Sequence, residues 1–225
     1  MKKFNILRGI VLSLIILMSA SVASASTVYW TDWTSAIGTN VFGTLNIGSS
    51  TVGVTFAGAY AFAQTSGGTN YWSPSAPYLS STVSNAPPAS DIIALDTGGR
   101  DTISFSEPVK DPLIALVSWN ANTVDFGVPI QILSFGAGFF GAGTPILNGA
   151  GMGFFGSDEV HGVIMLPGTY TSISFTHTSE YWHGLTLGVV DVGEAPPSTV
   201  PEPASLLLLG TGLAVIGLTS RRMRK

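Results

Sequence analysis

An all-β fold, a single antiparallel β-sandwich of jelly-roll type over residues 26–192, is what this sequence predicts, and three observations predict it. Apolar residues recur with period two in short runs, as at Val52, Val54 and Phe56, which is the pattern of a strand with one wet face. Glycine and proline, 27 and 13 of them in 225 residues, interrupt the chain every few positions between such runs, so each element is short and turn-bounded. No apolar repeat of helical period survives three turns between the two ends of the chain.

In chain order, Lys2, Lys3 and Arg8 precede an apolar stretch, 9–18, and then small residues ending Ala23-Ser24-Ala25. That is the layout of a secretory signal peptide over residues 1–25, cleaved before Ser26. A permanent anchor is the competing reading, and the Ala-x-Ala site and short apolar core weigh against it. Strands are then expected at 27–33, 41–47, 51–62, 91–95, 101–106, 112–119, 128–135, 160–166, 170–177 and 183–192. Ile103 with Phe105, and Ile173 with Phe175, repeat the period of two. Residues 113–119 are apolar on both faces, as in a central strand covered on both sides. His183 falls in phase with Leu185, Leu187 and Val189 and so points inward, while Trp119 ends the central strand as a core residue. Two stretches fit no ordinary strand. Residues 64–90 are polar and hold four prolines, a length of connection that calls for a function or for disorder. Residues 135–156 are glycine-rich with paired phenylalanines, which predicts tight turns and small hairpins.

The two ends distort the charge of the whole. Nine basic and thirteen acidic residues give −4, but seven of the nine bases lie in the termini. Arg100 and Lys110 alone face twelve acids between residues 26 and 199, a local net charge of −10. Nucleic acid is excluded as a partner, because its phosphates must be neutralised by cations. An acidic surface serves solubility, and it also suits a neutral sugar polymer or bound divalent cations. The chain has no cysteine, so disulfides are ruled out and stability rests on burial and hydrogen bonding. About 174 residues suffice for one domain with a substantial core.

Residues 193–199, with Pro196 and Pro197, read as a linker. Pro201 and Pro203 keep the next residues extended, and the uncharged, leucine-rich run after them is a transmembrane helix over 204–220. At 17 residues it spans roughly 25 Å against a hydrocarbon core of about 30 Å. Arg221, Arg222, Arg224 and Lys225 hold its end on the cytoplasmic side and put everything before it on the other. A buried core helix is the alternative, and it seldom ends in such a cluster of cations. Pro-Glu-Pro, a short apolar helix and a basic end in that order resemble the PEP-CTERM sorting signal of Gram-negative bacteria that make exopolysaccharide. The resemblance covers residues 200–225 and implies recognition by exosortase, a membrane-embedded transpeptidase. It makes Pro201, Glu202 and Pro203 the recognised motif and Arg221, Arg222 and Arg224 the stop-transfer charges. Ile103-Ser104-Phe105, Pro108-Val109, Asp111-Pro112, Glu159-Val160-His161-Gly162 and Glu180-Tyr181-Trp182-His183-Gly184-Leu185 resemble the body of other PEP-CTERM proteins, which implies a shared fold and no chemistry.

The chain lacks a G-x-S-x-G elbow, a Walker loop and an H-E-x-x-H pair, and neither catalytic residues nor a cofactor is indicated. Asp158, Glu159 and His161, joined by Glu180 and His183, form the best polar constellation. Carboxylates and imidazoles ligate metals where they converge, but D-E-x-H has the spacing of no known metal loop. The stronger reading is a hydrogen bond between His161 or His183 and Glu159 or Glu180 that ties two strands together, so no metal is assigned. Among the aromatics, Trp30, Trp33, Tyr71, Trp72, Tyr78, Trp119, Tyr181 and Trp182 are many for so uncharged a domain. Tyr71, Trp72 and Tyr78 lie in the polar 64–90 stretch and are the candidate carbohydrate-binding residues, their other reading being a lid on the core. The expected function is therefore a non-catalytic, exported protein of the envelope, cell surface or exopolysaccharide matrix, structural or carbohydrate-binding. A polysaccharide-processing enzyme using paired carboxylates is the alternative.

Overall fold

The computed structural model describes residues 25–190. The signal peptide up to Ser24, the 193–199 linker, the 204–220 helix and the sorting residues lie outside the described residues, among which no helix is long and apolar enough to cross a membrane. Fifteen strands run through the described part: β1 (Val28–Trp30), β2 (Asp32–Ile37), β3 (Asn40–Ile47), β4 (Ser50–Ala57), β5 (Phe62–Gln64), β6 (Ile92–Leu95), β7 (Gly99–Lys110), β8 (Leu113–Trp119), β9 (Thr123–Asp125), β10 (Gln131–Gly136), β11 (Gly143–Leu147), β12 (Gly153–Asp158), β13 (Val160–Met165), β14 (Thr169–His177) and β15 (His183–Val190).

They form two antiparallel sheets. One runs β10-β13-β8-β15-β6-β5, with β1 also on β15; the other runs β11-β12-β9-β14-β7-β4-β3-β2. These sheets hold seven and eight strands, against the eight in all of a jelly roll. The main core lies between the sheets. Val52, Val54 and Phe56 of β4, Ile103 and Phe105 of β7, and Ile173 and Phe175 of β14 supply one side of it. Ile114, Leu116 and Trp119 of β8 and Leu185, Leu187 and Val189 of β15 supply the other. Every residue of β8 is buried, as the two-sided apolar run requires.

A second apolar cluster covers the outer face of the seven-stranded sheet. Trp72, Tyr78 and Val83 from the 65–91 connection pack there on Val28, Trp30, Ile92, Leu113, Ala115, Val117 and Val163. The length of that connection follows from the sheet face it has to cover. Asn85 fastens it, accepting from Val28 N at 2.7 Å and donating to Val28 O at 2.9 Å.

Several expected elements differ. The 27–33 run is two strands, because Thr31 carries the chain from one sheet to the other, its N–H and hydroxyl both donating to Leu187 O. The 51–62 run stops at Ala57, and β5 pairs separately with β6. The first residues of 128–135 are not strand, and β7 continues to Lys110. β9 was not expected, and the glycine-rich segment contributes the β11–β12 hairpin. Trp119 reaches the inner core through a bulge. Ser118 adopts φ 58°, the register shifts between Val160 and Gly162, and the alternation that would have pointed Trp119 outward is reversed.

Candidate functional site

Three connections between the sheets converge at one end of the sandwich. Asn120 follows β8, Glu159 separates β12 from β13, and Glu180 lies between β14 and β15. Left-handed backbone at Ala121 (φ 49°) and Asp158 (φ 60°) turns two of these corners. Asn120 links all three: its N–H donates to both Glu180 carboxylate oxygens at 3.3 Å, and its Nδ2 donates to Glu159 Oε1 at 3.0 Å. Ser118 Oγ donates to the other Glu159 oxygen.

From Glu180 a buried polar chain crosses the core. Glu180 Oε1 is 2.9 Å from His183 Nδ1, His183 Nε2 is 3.0 Å from His177 Nδ1, and His177 Nε2 is 2.9 Å from Asp101 Oδ2. Asp101 and His177 belong to the eight-stranded sheet and His183 to the other, so the chain ties the sheets together. Burial pushes Glu180 up to about 8, opposed by the Asn120 N–H and reinforced by the Glu159 charge. Burial, with His177 adding to it, pushes His183 down to about 3. A protonated Glu180 thus donates to His183 Nδ1, His183 Nε2–H donates to His177 Nδ1, and His177 Nε2–H donates to Asp101.

His161 faces the other way, toward the lid. Burial holds it down at about 4, despite the Glu159 charge. Its Nε2 accepts from Phe140 N at 3.4 Å, so Nδ1 carries the proton and donates to the Tyr78 hydroxyl at 3.2 Å. Burial raises the Tyr78 phenol, keeping it neutral.

An aromatic surface adjoins this end. Phe139 and Phe140 occupy the tip of a turn closed by Gly138 N–H donating to Gly141 O at 2.7 Å, and both are 44% exposed. Their rings meet Tyr71 at 5.2 and 6.0 Å, and Phe140 meets Trp182 at 5.3 Å. Tyr71 and Trp182 are half-buried and 5.1 Å apart, and Phe62 backs both. Gly138 is required here, because a Cβ on it would stand 2.2 Å from His161 Cγ. Gly141 passes over Glu159, whose Cγ would be 3.6 Å from an added Cβ. The rings and the Glu159–Glu180 pair are thereby neighbours.

The same geometry says nothing about the final segment, which the family comparison decides. A family model for the PEP-CTERM protein-sorting motif matches residues 199–225. The chain carries a PEP-CTERM sorting signal. Pro201, Glu202, Pro203 and the arginines Arg221, Arg222 and Arg224 all fall inside the match. The PEP-CTERM signal implies an exported protein with exosortase as its processing partner. No curated protein and no solved structure matches the chain.

Of the three aromatic residues expected to stack on sugar, Tyr71 alone reaches the surface. Trp72 is 2% exposed and Tyr78 fully buried, because they fill the outer face of the seven-stranded sheet; neither presents a ring face to a ligand. Phe139, Phe140 and Trp182 are the rings that stand beside Tyr71. The paired phenylalanines between glycines were the available signal, since a tight turn displays what lies at its tip. Glu159 and Glu180 converge on Asn120, and His183 bonds Glu180. Asp158 stands apart from these contacts at its corner, and among the described residues no three His, Asp or Glu side chains are grouped to hold a metal ion. Asp101 and His177 were missed, although period two puts Asp101 in line with Ile103 and Phe105 and His177 in line with Ile173 and Phe175.

Proposed function

We propose that this exported sandwich domain is a non-catalytic protein of a Gram-negative cell surface or exopolysaccharide matrix, and that it binds glycan through Tyr71, Phe139, Phe140 and Trp182. The observation that carries the reading is the pair of phenylalanines held out at a turn tip against two further rings. Apolar faces of pyranose rings stack on such surfaces, and contiguous exposed rings mark binding sites. Affinity electrophoresis of the full chain through gels containing matrix polysaccharide tests this. Wild type should be retarded and F139A/F140A should run as in a blank gel; equal retardation of both removes the site.

One observation favours the second reading, a polysaccharide-processing enzyme. Glu159 and Glu180 share Asn120, and Glu180 is pushed up to about 8, so it holds a proton beside a second carboxyl, and a proton-bearing carboxyl is the general acid that glycoside hydrolysis needs. Release of reducing ends from the polysaccharide by wild type and not by E180Q would establish it in place of the non-catalytic reading.

A further inference from the structure

The aromatic surface is bordered by acids. Glu159 lies under the Gly138–Gly141 turn, Glu180 is two residues before Trp182, and the two carboxyls are held by the same Asn120. The domain's cations, Arg100 and Lys110, lie at opposite ends of β7. β7 belongs to the eight-stranded sheet, whereas Tyr71 and Trp182 pack with the cluster on the outer face of the seven-stranded one. Tyr181, on the loop between Glu180 and Trp182, is 93% exposed, so a further ring stands free beside the acids. An aromatic face beside a carboxylate suits one chemistry above others: an ammonium group attached to an apolar ring, which gains both a cation–π contact and a charge-assisted hydrogen bond.

We propose that the glycan bound on this surface carries free amino groups, that is, a polymer of deacetylated amino sugars, with Glu159 and Glu180 selecting the ammonium. This deepens the glycan-binding reading and rests on it. An ammonium there is held by the Glu159 charge and by an uncharged oxygen of the protonated Glu180. A neutral sugar offers them only hydroxyls, and an N-acetylated one places a methyl and a carbonyl where the charge is needed. The raised proton affinity of Glu180 is consistent with such a gap in charge.

The test uses the full chain in detergent and three hexasaccharides with one β-1,4 backbone that differ at a single carbon: free amine, N-acetyl and hydroxyl. Titration calorimetry should give an affinity about tenfold or more higher for the amine than for either other form. E159Q/E180Q should lose that preference while retaining the weaker common affinity, and F139A/F140A should weaken all three ligands. D32N/E107Q, which removes two exposed charges elsewhere, should leave the preference intact. Equal affinity for the three hexasaccharides in wild type, with all of it lost in F139A/F140A, overturns amine selection and leaves glycan binding standing. Retention of none overturns both. Poly-lysine bound as tightly as the amine hexasaccharide, or a preference that D32N/E107Q abolishes, reduces the effect to attraction of any polycation and overturns the proposal. Because the comparison of ligands on wild type needs no substitution, a misfolded E159Q/E180Q chain still leaves a deciding result.

Discussion

Glu180 and His183 hold their protons in the reverse of the usual order, and that sets how stability depends on pH. Above the ordinary glutamate value of 4.5 an unfolded chain releases the Glu180 proton, while the folded one keeps it to about 8. The contribution of Glu180 is therefore largest at low pH and is lost as pH rises from about 4.5 to 8. His183 and His161 work in the other direction. Their folded values of about 3 and about 4 lie below 6.5, so stability falls as pH drops below 6.5 and the unfolded imidazoles take up protons. E180Q removes the first effect and can still donate to His183 Nδ1. Melting curves should show E180Q gaining on wild type between pH 5 and pH 8.5, by about 2–4 °C for each kcal/mol of linkage; parallel curves would refute a retained proton. H177A should break the relay in the middle and destabilise the fold by about 2–4 kcal/mol, since His183 and Asp101 are left buried without it, as denaturant titration would measure. Such residue-level features were half visible in the sequence. The phase of Leu185, Leu187 and Val189 turned His183 inward, and the same rule applied to Asp101 and His177 would have completed the chain. Which inward polar groups meet depends on how the two sheets face each other, and no local period encodes that.

At the scale of elements, the 65–91 connection shows why aromatic residues in a polar loop do not read as exposed. Composition spread over the whole segment is polar, yet Trp72 and Tyr78 are spaced to reach one sheet face, and Tyr78 ends the 3-10 turn Ala76–Tyr78 that aims it there. Trp72→Ala should cost about 3–5 kcal/mol as a large-to-small core substitution, with a chemical-denaturation midpoint well below that of wild type. Tyr71→Ala, at the half-buried edge, should cost much less; the reverse ranking would mean that the lid does not carry the outer core. The glycine-rich 135–156 segment was readable as turns and small hairpins because glycine and paired phenylalanine leave few other forms. Its register was not readable, since close approach fixes it: a Cβ at Gly153 would lie 1.9 Å from Val124 O and one at Gly156 2.1 Å from Trp119 O. Gly138→Ala should push the turn off His161 and lose the aromatic surface while leaving the β11–β12 pairing; amide exchange would show the N–H at position 138 losing protection and Phe155 N–H unchanged.

At the scale of the whole molecule, the chain divides its charge by location. Acids crowd the exported stretch, bases crowd the termini, and the whole-chain −4 describes neither. β1 and the end of β15 pair directly, Val28 with Val190, so the chain enters and leaves the sandwich at one place, while Glu180 and Trp182 lie before the opposite end of β15, about 23 Å away along a seven-step strand at 3.3 Å per residue. A binding surface so placed is clear of the point from which the chain continues to its sorting signal. The mass of the exported protein reports on removal of that signal. Cleavage by exosortase should give a species ending near Pro203, lacking Arg221 to Lys225 and shifted from the membrane fraction; a membrane-bound species that retains Lys225 would mean anchoring without processing. Substituting Glu202→Ala should convert the first pattern into the second if the Pro-Glu-Pro residues are what the enzyme reads, and glycan retention by the two species should be equal, because Phe139, Phe140, Glu159 and Glu180 all belong to the sandwich.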